Sequence, residues 1–293
     1  MTIIAVISPK GGVGKTAMTV NVSVAMAASG NSVVVVDLDP QNAVGLCLGL
    51  PPGDVSGCMR QSVLKQAWQD VLHRSASGLD YLPYGVINEH DRVDLERQLE
   101  NQPDWLKQQL QQLSLAKFQE QAGLIFIDTP SGSTVYMQQV LACADIVLVV
   151  VQADAGSYAA IPQMESVLAY YAVSCAHSVN SYYVVNQMDG SKMLNRDILD
   201  ALRQQLGERF LPLTVHYDQA VSDAFALQQS VLQYAHYAQS AYDFRQVAGW
   251  LSENIKKNHP LSNFLVPQAQ SQGMQLLSSQ QDSQLHHPIP ELS

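Results

Sequence analysis

The sequence predicts an α/β protein whose sheet is mostly parallel and is flanked by helices on both faces. Short segments such as Val33–Val36 and Ile146–Val151 are continuously apolar, which is typical of strands covered on both faces. They alternate with longer stretches of helical pattern, and strands that alternate with helices form parallel sheets. Strands are predicted at 2–8, 32–37, 79–82, 123–128, 145–151, 180–185 and 210–214, and helices at 15–29, 134–143, 157–171, 195–206, 217–229 and 239–257.

The composition favours a cytoplasmic protein. The chain has 293 residues, of which 47% are hydrophobic, enough for one large core or two modest ones. A run of about 18 or more apolar residues is missing from the sequence, so a membrane-spanning helix is not expected. The first residues, Met1–Ile7, lack the basic region of a signal peptide and are predicted as the first strand. Buried, reduced thiols are expected at Cys47, Cys58, Cys143 and Cys175, because no two of them form a C-x-x-C pair.

The chain is expected to divide into one large domain and a tail. The segment 84–121 carries several Gln and charged residues and is predicted as solvated helix in a surface insertion. After Lys257 the sequence contains no Lys or Arg and becomes rich in Gln and Ser. Such composition is typical of disorder. We therefore expect a domain at 1–258 and a disordered tail at 259–293.

A glycine-rich segment, Ser8–Thr16, follows the first predicted strand and opens the first helix. Glycines let backbone N–H groups converge on an anion, and the helix N-terminus adds its positive dipole end. In such a phosphate loop Lys15 would bridge the β- and γ-phosphates, and the Thr16 hydroxyl would bind Mg²⁺. The residues expected to bind nucleotide are Lys10, Gly11, Gly12, Val13, Gly14, Lys15, Thr16 and Ala17.

The loop differs from the common G-x-x-x-x-G-K-[ST] pattern, because Pro9 stands at the first glycine position and Lys10 follows it. It resembles the deviant Walker A family that includes the MinD and ParA proteins, whose mark is K-G-G-x-G-K-[ST]. The resemblance implies a P-loop ATPase that binds ATP and Mg²⁺ as a homodimer. It also implies that Lys10 reaches the partner's nucleotide, since no intramolecular task is expected for it; an exposed loop lysine is the alternative. Ala17 departs from the family's Ser or Thr, so a hydroxyl contact to the α-phosphate is lost.

Acidic residues follow two of the predicted strands. Asp37–Gln41 resembles the family's D-x-D-P-Q switch I segment, which implies that Asp39 orients the attacking water and that Asp37 supports the Mg²⁺ region. An Asp-Pro turn is the alternative. The apolar segment Leu124–Pro130 resembles the family's Walker B strand and implies that Asp128 holds Mg²⁺. A carboxylate at the end of a buried strand is costly without a cation or hydrogen bonds, which favours this role over a helix cap.

Base recognition is predicted at the end of a later strand, in the segment Val184–Asp189. The family places an Asn that contacts adenine here, which points to Asn186. The segment also resembles the N-K-x-D guanine motif of GTPases, but Gln187 replaces its Lys, so ATP is favoured over GTP. Asp189 is a further candidate, with an ordinary loop carboxylate as the alternative.

The sequence lacks residues that three known roles within the deviant Walker A family require. Nitrogenase-type reductases need a cluster-binding cysteine soon after the Walker B strand, where this chain has Ser131–Thr134. A MinD-type membrane helix needs more positive charge than Lys256 and Lys257 provide beside a net charge of −10. ParA-type DNA binding needs clustered basic residues, and counterion release would be small here. Direct binding to membranes or nucleic acid is therefore not expected.

Two segments, Leu79–Gly85 and Phe210–Ala220, are similar to the BcsQ family of bacterial cellulose-biosynthesis proteins. This resemblance implies a small partner protein, BcsR, and recruitment to the cellulose synthase complex at the inner membrane. His216 belongs to the match, and a structural or exposed histidine is the alternative. The sequence thus predicts an ATP-dependent dimeric switch that regulates or localises cellulose secretion. The alternatives are a DNA-partitioning or cell-positioning ATPase and a nucleotide-holding scaffold with little turnover.

Overall fold

A computed structural model describes residues 1–119, 122–174 and 179–258. Within these ranges one sheet of eight strands forms the centre, in the order β3-β4-β2-β5-β1-β6-β7-β8. All neighbouring strands are parallel except β3, which is antiparallel to β4. The strands are β1 Thr2–Ile7, β2 Ser32–Asp37, β3 His73–Arg74, β4 Asp80–Leu82, β5 Gly123–Asp128, β6 Ile146–Val151, β7 Asn180–Met188 and β8 Phe210–His216. The predicted fold class is confirmed.

Helices cover both faces of the sheet, as the unbroken apolar strands require. Every residue of Val33–Val36 and of Ile146–Val151 is buried. The helices of the described ranges are α1 Lys15–Ala28, α2 Ala43–Cys47, α3 Cys58–Leu64, α4 Glu89–Asn101, α5 Trp105–Phe118, α6 Val135–Leu141, α7 Ala155–Ser174, α8 Met193–Leu206, α9 Gln219–Ala226, α10 Val231–Tyr234 and α11 Gln239–Asn258. Helices α3 to α8 pack into the core on one face, and α1, α2 and α9 to α11 pack into the core on the other.

The segment 84–121 is not the surface insertion that the sequence predicts. Its helices α4 and α5 bury apolar residues in the main core, including Leu99 and Leu106 at 1% and 0% exposure. Leu106, Leu110 and Leu113 follow one another at spacings of four and three residues, so they share one face of α5. The Gln residues between them lower the mean hydropathy and conceal this buried face.

Several short elements also lie outside the sequence prediction, namely β3, α2, α3 and α10. Their two to seven residues are too few for a periodic pattern to be recognised. Three cysteines, Cys47, Cys58 and Cys143, are buried, as expected. Cys175 and the predicted tail at 259–293 lie outside the described residues. In the described part of the chain, every helix is too short or too polar to span a bilayer.

The sheet topology indicates at which end of the strands a ligand would bind. Strand β1 lies between β5 and β6. Strands β2 to β5 all lie on one side of β1 and β6 to β8 on the other, so the strand order reverses at β1. Ligands of open α/β sheets bind beyond the carboxyl ends of the strands at such a switch point. The predicted site residues Asp37, Asp128 and Asn186 lie at or near the carboxyl ends of β2, β5 and β7.

Candidate functional site

The phosphate loop leaves β1 and turns directly into α1, which begins at Lys15. Gly12 and Gly14 have φ angles of +78° and +84°, a conformation that glycine adopts without the steric cost of a Cβ atom. A Cβ atom on Gly14 would lie 2.3 Å from Asn186 Nδ2, so no larger residue fits there. The loop therefore has the backbone conformation and close packing that an anion cradle requires.

Lys15 points into the site rather than into solvent. Its side chain donates to Ser131 Oγ at 2.6 Å, and the residue is 7% exposed. Burial lowers the Lys15 pKa, while the charges of Asp128 and Asp39 act in the opposite direction. A lysine held among carboxylates at a helix N-terminus provides a concentrated positive charge for a phosphate.

Asp128 is joined to α1 by two hydroxyl groups. Thr16 Oγ1 donates to one carboxylate oxygen at 2.6 Å, and Thr19 Oγ1 lies 3.0 Å from the other. Asp128 is completely buried, and burial raises its pKa to about 6. The sequence pattern missed Thr19, although its position one helical turn after Lys15 and Thr16 could have suggested it.

Asp37 lies opposite Asp128 in the register of β2 and β5 and is also completely buried. Its carboxylate oxygens accept from the backbone N–H groups of Asp39 and Val44 at 2.9 and 3.0 Å. Burial raises the Asp37 pKa well above its usual value, and the charge of Asp128 adds to this shift. Asp37 thus fixes the backbone of the predicted switch I segment.

These groups fit a Mg²⁺ ion. Two buried carboxylates on adjacent strands are costly unless a cation neutralises them, and both pKa shifts show that cost. The Thr16 hydroxyl and the Asp128 carboxylate are hard oxygen donors of the kind that Mg²⁺ prefers. They meet at one point beside the loop.

Asp39 lies at the mouth of the site. It is partly exposed, and its side chain accepts from the backbone N–H of Gln41 at 2.9 Å. Its charge acts on Lys15, which places the two residues in the same electrostatic environment. Its predicted role in orienting water stays a prediction.

The expectation that Lys10 lacks an intramolecular partner is wrong. Lys10 Nζ donates to Asp154 Oδ2 at 2.6 Å, and the two side chains are 33% and 36% exposed. Asp154 immediately precedes α7, so this ion pair joins the loop to the segment between β6 and α7. The residues are 144 positions apart, and nothing in the local sequence indicates the contact.

Asn186 is 3% exposed and donates to the carbonyl oxygen of Val13 at 2.8 Å. This contact places it against the phosphate loop, and its predicted contact with adenine stays a prediction. The Asp189 carboxylate accepts from Ser191 and Lys192 in its own loop, and these hydrogen bonds lower its pKa to about 2. His216 lies apart from the loop contacts and pairs through Nδ1 with Asp243 at 2.8 Å.

The fold and the loop define a P-loop protein of the MinD/ParA type, a class of nucleotide-binding proteins. Residues 1–251 match the family model described as "Cellulose biosynthesis protein BcsQ". The chain belongs to this family.

Known proteins are similar over most of the chain. The cellulose biosynthesis protein BcsQ of Salmonella typhimurium is 24% identical over 254 residues, which is 85% of this chain and 94% of the relative. Cobyrinic acid a,c-diamide synthase from Mycobacterium smegmatis, solved with an ATP analog and magnesium, has a TM-score of 0.70 at 19% identity and covers 92% of this chain and 99% of its own. MinD from Pyrococcus horikoshii, complexed with Mg-ADP, has a TM-score of 0.68 at 21% identity and covers 87% and 97%. The structural likenesses support the fold.

Proposed function

We propose that this protein is a Mg²⁺-dependent ATPase that acts as a dimeric switch for the bacterial cellulose synthase and secretion complex. One observation carries the proposal: Lys15, Thr16 and Asp128 come together at the start of α1. This is the set of groups that phosphoryl transfer requires, because its catalysis consists of positioning and charge stabilisation without a covalent nucleophile.

Each residue then has a defined task. The loop N–H groups hold the phosphates, and Lys15 exchanges its contact with Ser131 for the β- and γ-phosphate oxygens. Thr16 and Asp128 hold Mg²⁺, which neutralises negative charge on the phosphates. Asp39 orients the attacking water, and Asp37 keeps the Asp39 backbone in place through its hydrogen bond.

The dimer is proposed from Lys10. In an ATP-bound dimer Lys10 leaves Asp154 and contacts the nucleotide of the partner subunit, where a phosphate offers more negative charge than one carboxylate. An ion pair with both side chains about one-third exposed costs little to break, since such pairs contribute roughly 0–1 kcal/mol. The exchange can therefore be driven by nucleotide.

Family membership supports the cellular role. A protein named for cellulose biosynthesis aligns with 85% of this chain at 24% identity. We therefore propose that the protein works in the cytoplasm, with BcsR and components of the cellulose synthase complex as partners that bring it to the inner membrane. Its net charge of −10 is unfavourable for direct attraction to anionic lipid or DNA.

Calorimetry with an ATP analogue and Mg²⁺, followed by a hydrolysis assay, tests the proposal. Wild-type protein should bind and hydrolyse ATP in preference to GTP, and Lys15→Ala should abolish binding, because a lost charge partner costs several kcal/mol. Lys107→Ala, an exposed lysine on α5, is the matched control and should bind normally.

The cellular part is tested by complementation. A strain that lacks this protein should secrete less cellulose, and wild type but not Lys15→Ala should restore the output. Unchanged cellulose in the deletion strain would remove the cellular role. Binding without turnover in the dimeric protein would instead favour a nucleotide-holding scaffold.

A further inference from the structure

Several carbonyl groups of the phosphate loop accept hydrogen bonds from side chains. If backbone N–H groups are to converge on an anion, the carbonyls between them must point away from it and find other donors. Between the end of β1 and the start of α1, three carbonyls accept from side chains of this chain. The contacts are Ser8 Oγ to Lys10 O at 2.7 Å, Asn186 Nδ2 to Val13 O at 2.8 Å and Gln187 Nε2 to Gly12 O at 3.5 Å.

Two of these donors, Asn186 and Gln187, are consecutive residues of β7. It is unusual for consecutive residues of a strand to contact the same loop. Successive side chains of a strand point to opposite faces, so Asn186 and Gln187 should not reach the same loop. Gln187 has a φ angle of +56°, and the register of β7 with β8 shifts between Val185 and Met188. This left-handed residue breaks the alternation and turns both side chains toward the loop. Such a conformation costs free energy for a non-glycine residue.

A third side chain orients the Gln187 amide. Gln152 Nε2 donates to Gln187 Oε1 at 2.6 Å, which directs the Gln187 NH₂ group toward Gly12. Gln152 directly follows β6, and its own backbone N–H is fixed by Ser157 Oγ at 3.1 Å. The contacts form a relay from the end of β6 through Gln187 to the phosphate loop.

The chemistry of glutamine suits this relay. One amide accepts with its oxygen and donates with its nitrogen, so Gln187 can receive from Gln152 and give to Gly12 at the same time. A lysine at the same place could donate but could not accept. The relay also starts two residues before Asp154, the partner of Lys10, so one segment holds the loop at both Lys10 and Gly12.

We propose that Gln152 and Gln187 are positioning residues that keep the Gly12 carbonyl turned outward and thereby set the affinity of the loop for phosphate. The proposal rests on the nucleotide binding proposed above. It assigns to Gln187 a task that acts through the loop backbone and requires no contact with the base.

A double-mutant cycle of uncharged substitutions tests the relay without changing the charge near the phosphates. Met has nearly the length of Gln but lacks its amide group. Gln152→Met therefore removes only the contact between the two glutamines, whereas Gln187→Met and the double variant remove both contacts. Affinity for a non-hydrolysable ATP analogue with Mg²⁺ is measured by calorimetry, and KM and kcat by steady-state hydrolysis. Gln204→Met, an exposed residue on α8, is the matched control.

We expect Gln187→Met to weaken binding about threefold to fivefold, because the contact with Gly12 is long and is worth less than a hydrogen bond of ordinary length. Gln152→Met should lose about threefold, and the double variant should match Gln187→Met, because Gln152 acts only through Gln187. KM should rise while kcat stays unchanged, since the loop holds ground state and transition state alike. The melting temperature without nucleotide should stay near that of Gln204→Met.

Three results would overturn the relay while leaving the proposed function intact. They are wild-type affinity in Gln187→Met, independent losses that multiply in the double variant, and weaker binding that follows a general loss of thermal stability. A wild-type protein that binds no nucleotide would overturn the proposed function and the relay together.

Discussion

Lys10 Nζ lies 2.6 Å from Asp154 Oδ2 and so connects the phosphate loop to the residue that precedes α7. In the proposed dimer, Asp154 and the partner's nucleotide compete for the ammonium group of Lys10. Asp154→Asn should therefore favour the ATP-bound dimer about twofold to fivefold, a surface ion pair being worth up to roughly 1 kcal/mol. Sedimentation velocity with an ATP analogue would measure the dimer fraction.

Lys10→Ala should lower the dimer fraction in the same experiment. A Lys10→Ala variant that is as dimeric as wild type under every nucleotide condition would contradict contact across the interface.

Asp39→Ala should bind ATP and hydrolyse it slowly. The substitution removes the group proposed to orient water and leaves the contacts of Lys15, Thr16 and Asp128 in place. Positioned proton acceptors and water-orienting groups contribute roughly 10²–10⁴-fold to rates, so single-turnover hydrolysis should fall at least about a hundredfold. The variant should accumulate as an ATP-bound dimer. Wild-type turnover would show that Asp39 is only a turn residue.

Asp128→Asn should stabilise the nucleotide-free protein at pH 7.5. The folded-state pKa of Asp128, about 6, lies above the ordinary value of 3.8, so folding opposes ionisation. The stability of the wild type therefore falls as pH rises from about 4 to about 6, and the full penalty remains above that window. Removing the charge should raise the free energy of unfolding by on the order of 3 kcal/mol at pH 7.5 and by roughly half as much at pH 5.

Urea unfolding at pH 5, 6 and 7.5 without Mg²⁺ would measure the difference. Asp197→Asn, on the exposed face of α8, is the control and should match the wild type at each pH. The same Asp128→Asn variant should lose the Mg²⁺-dependent part of nucleotide affinity. An Asp128→Asn variant less stable than wild type at pH 7.5 would refute the electrostatic origin of the shift.

The purified protein should bind neither anionic vesicles nor DNA at physiological salt. Its net charge of −10 opposes both polyanions, and both interactions depend on released counterions or basic patches. Co-sedimentation with vesicles of phosphatidylglycerol and phosphatidylethanolamine, and a salt titration with duplex DNA, would test this. Tight sedimentation with the vesicles would contradict recruitment through proteins, and salt-dependent DNA binding would favour the DNA-partitioning alternative.

The sequence predicted the parts of the molecule that depend on local pattern. The phosphate loop and the acids that follow β2 and β5 could be located because each directly follows an apolar strand, and parallel strands bring their carboxyl ends together. The sequence could not predict contacts between distant segments, such as that of Lys10 with Asp154. Nor could it predict the burial of α5, whose Gln-rich composition conceals its apolar face, or the left-handed turn at Gln187.

If the protein binds Mg²⁺ and ATP as proposed, the buried pair Asp37 and Asp128 would link its lifetime to its nucleotide supply. A ligand that binds only the folded chain stabilises it by about 2.7 kcal/mol at a hundred times its dissociation constant. The relief of repulsion between the two carboxylates would be part of that binding free energy and would lower the dissociation constant. The nucleotide-free chain unfolds more often, and proteases degrade unfolded chains. Starved cells would therefore contain less of this protein even at constant synthesis.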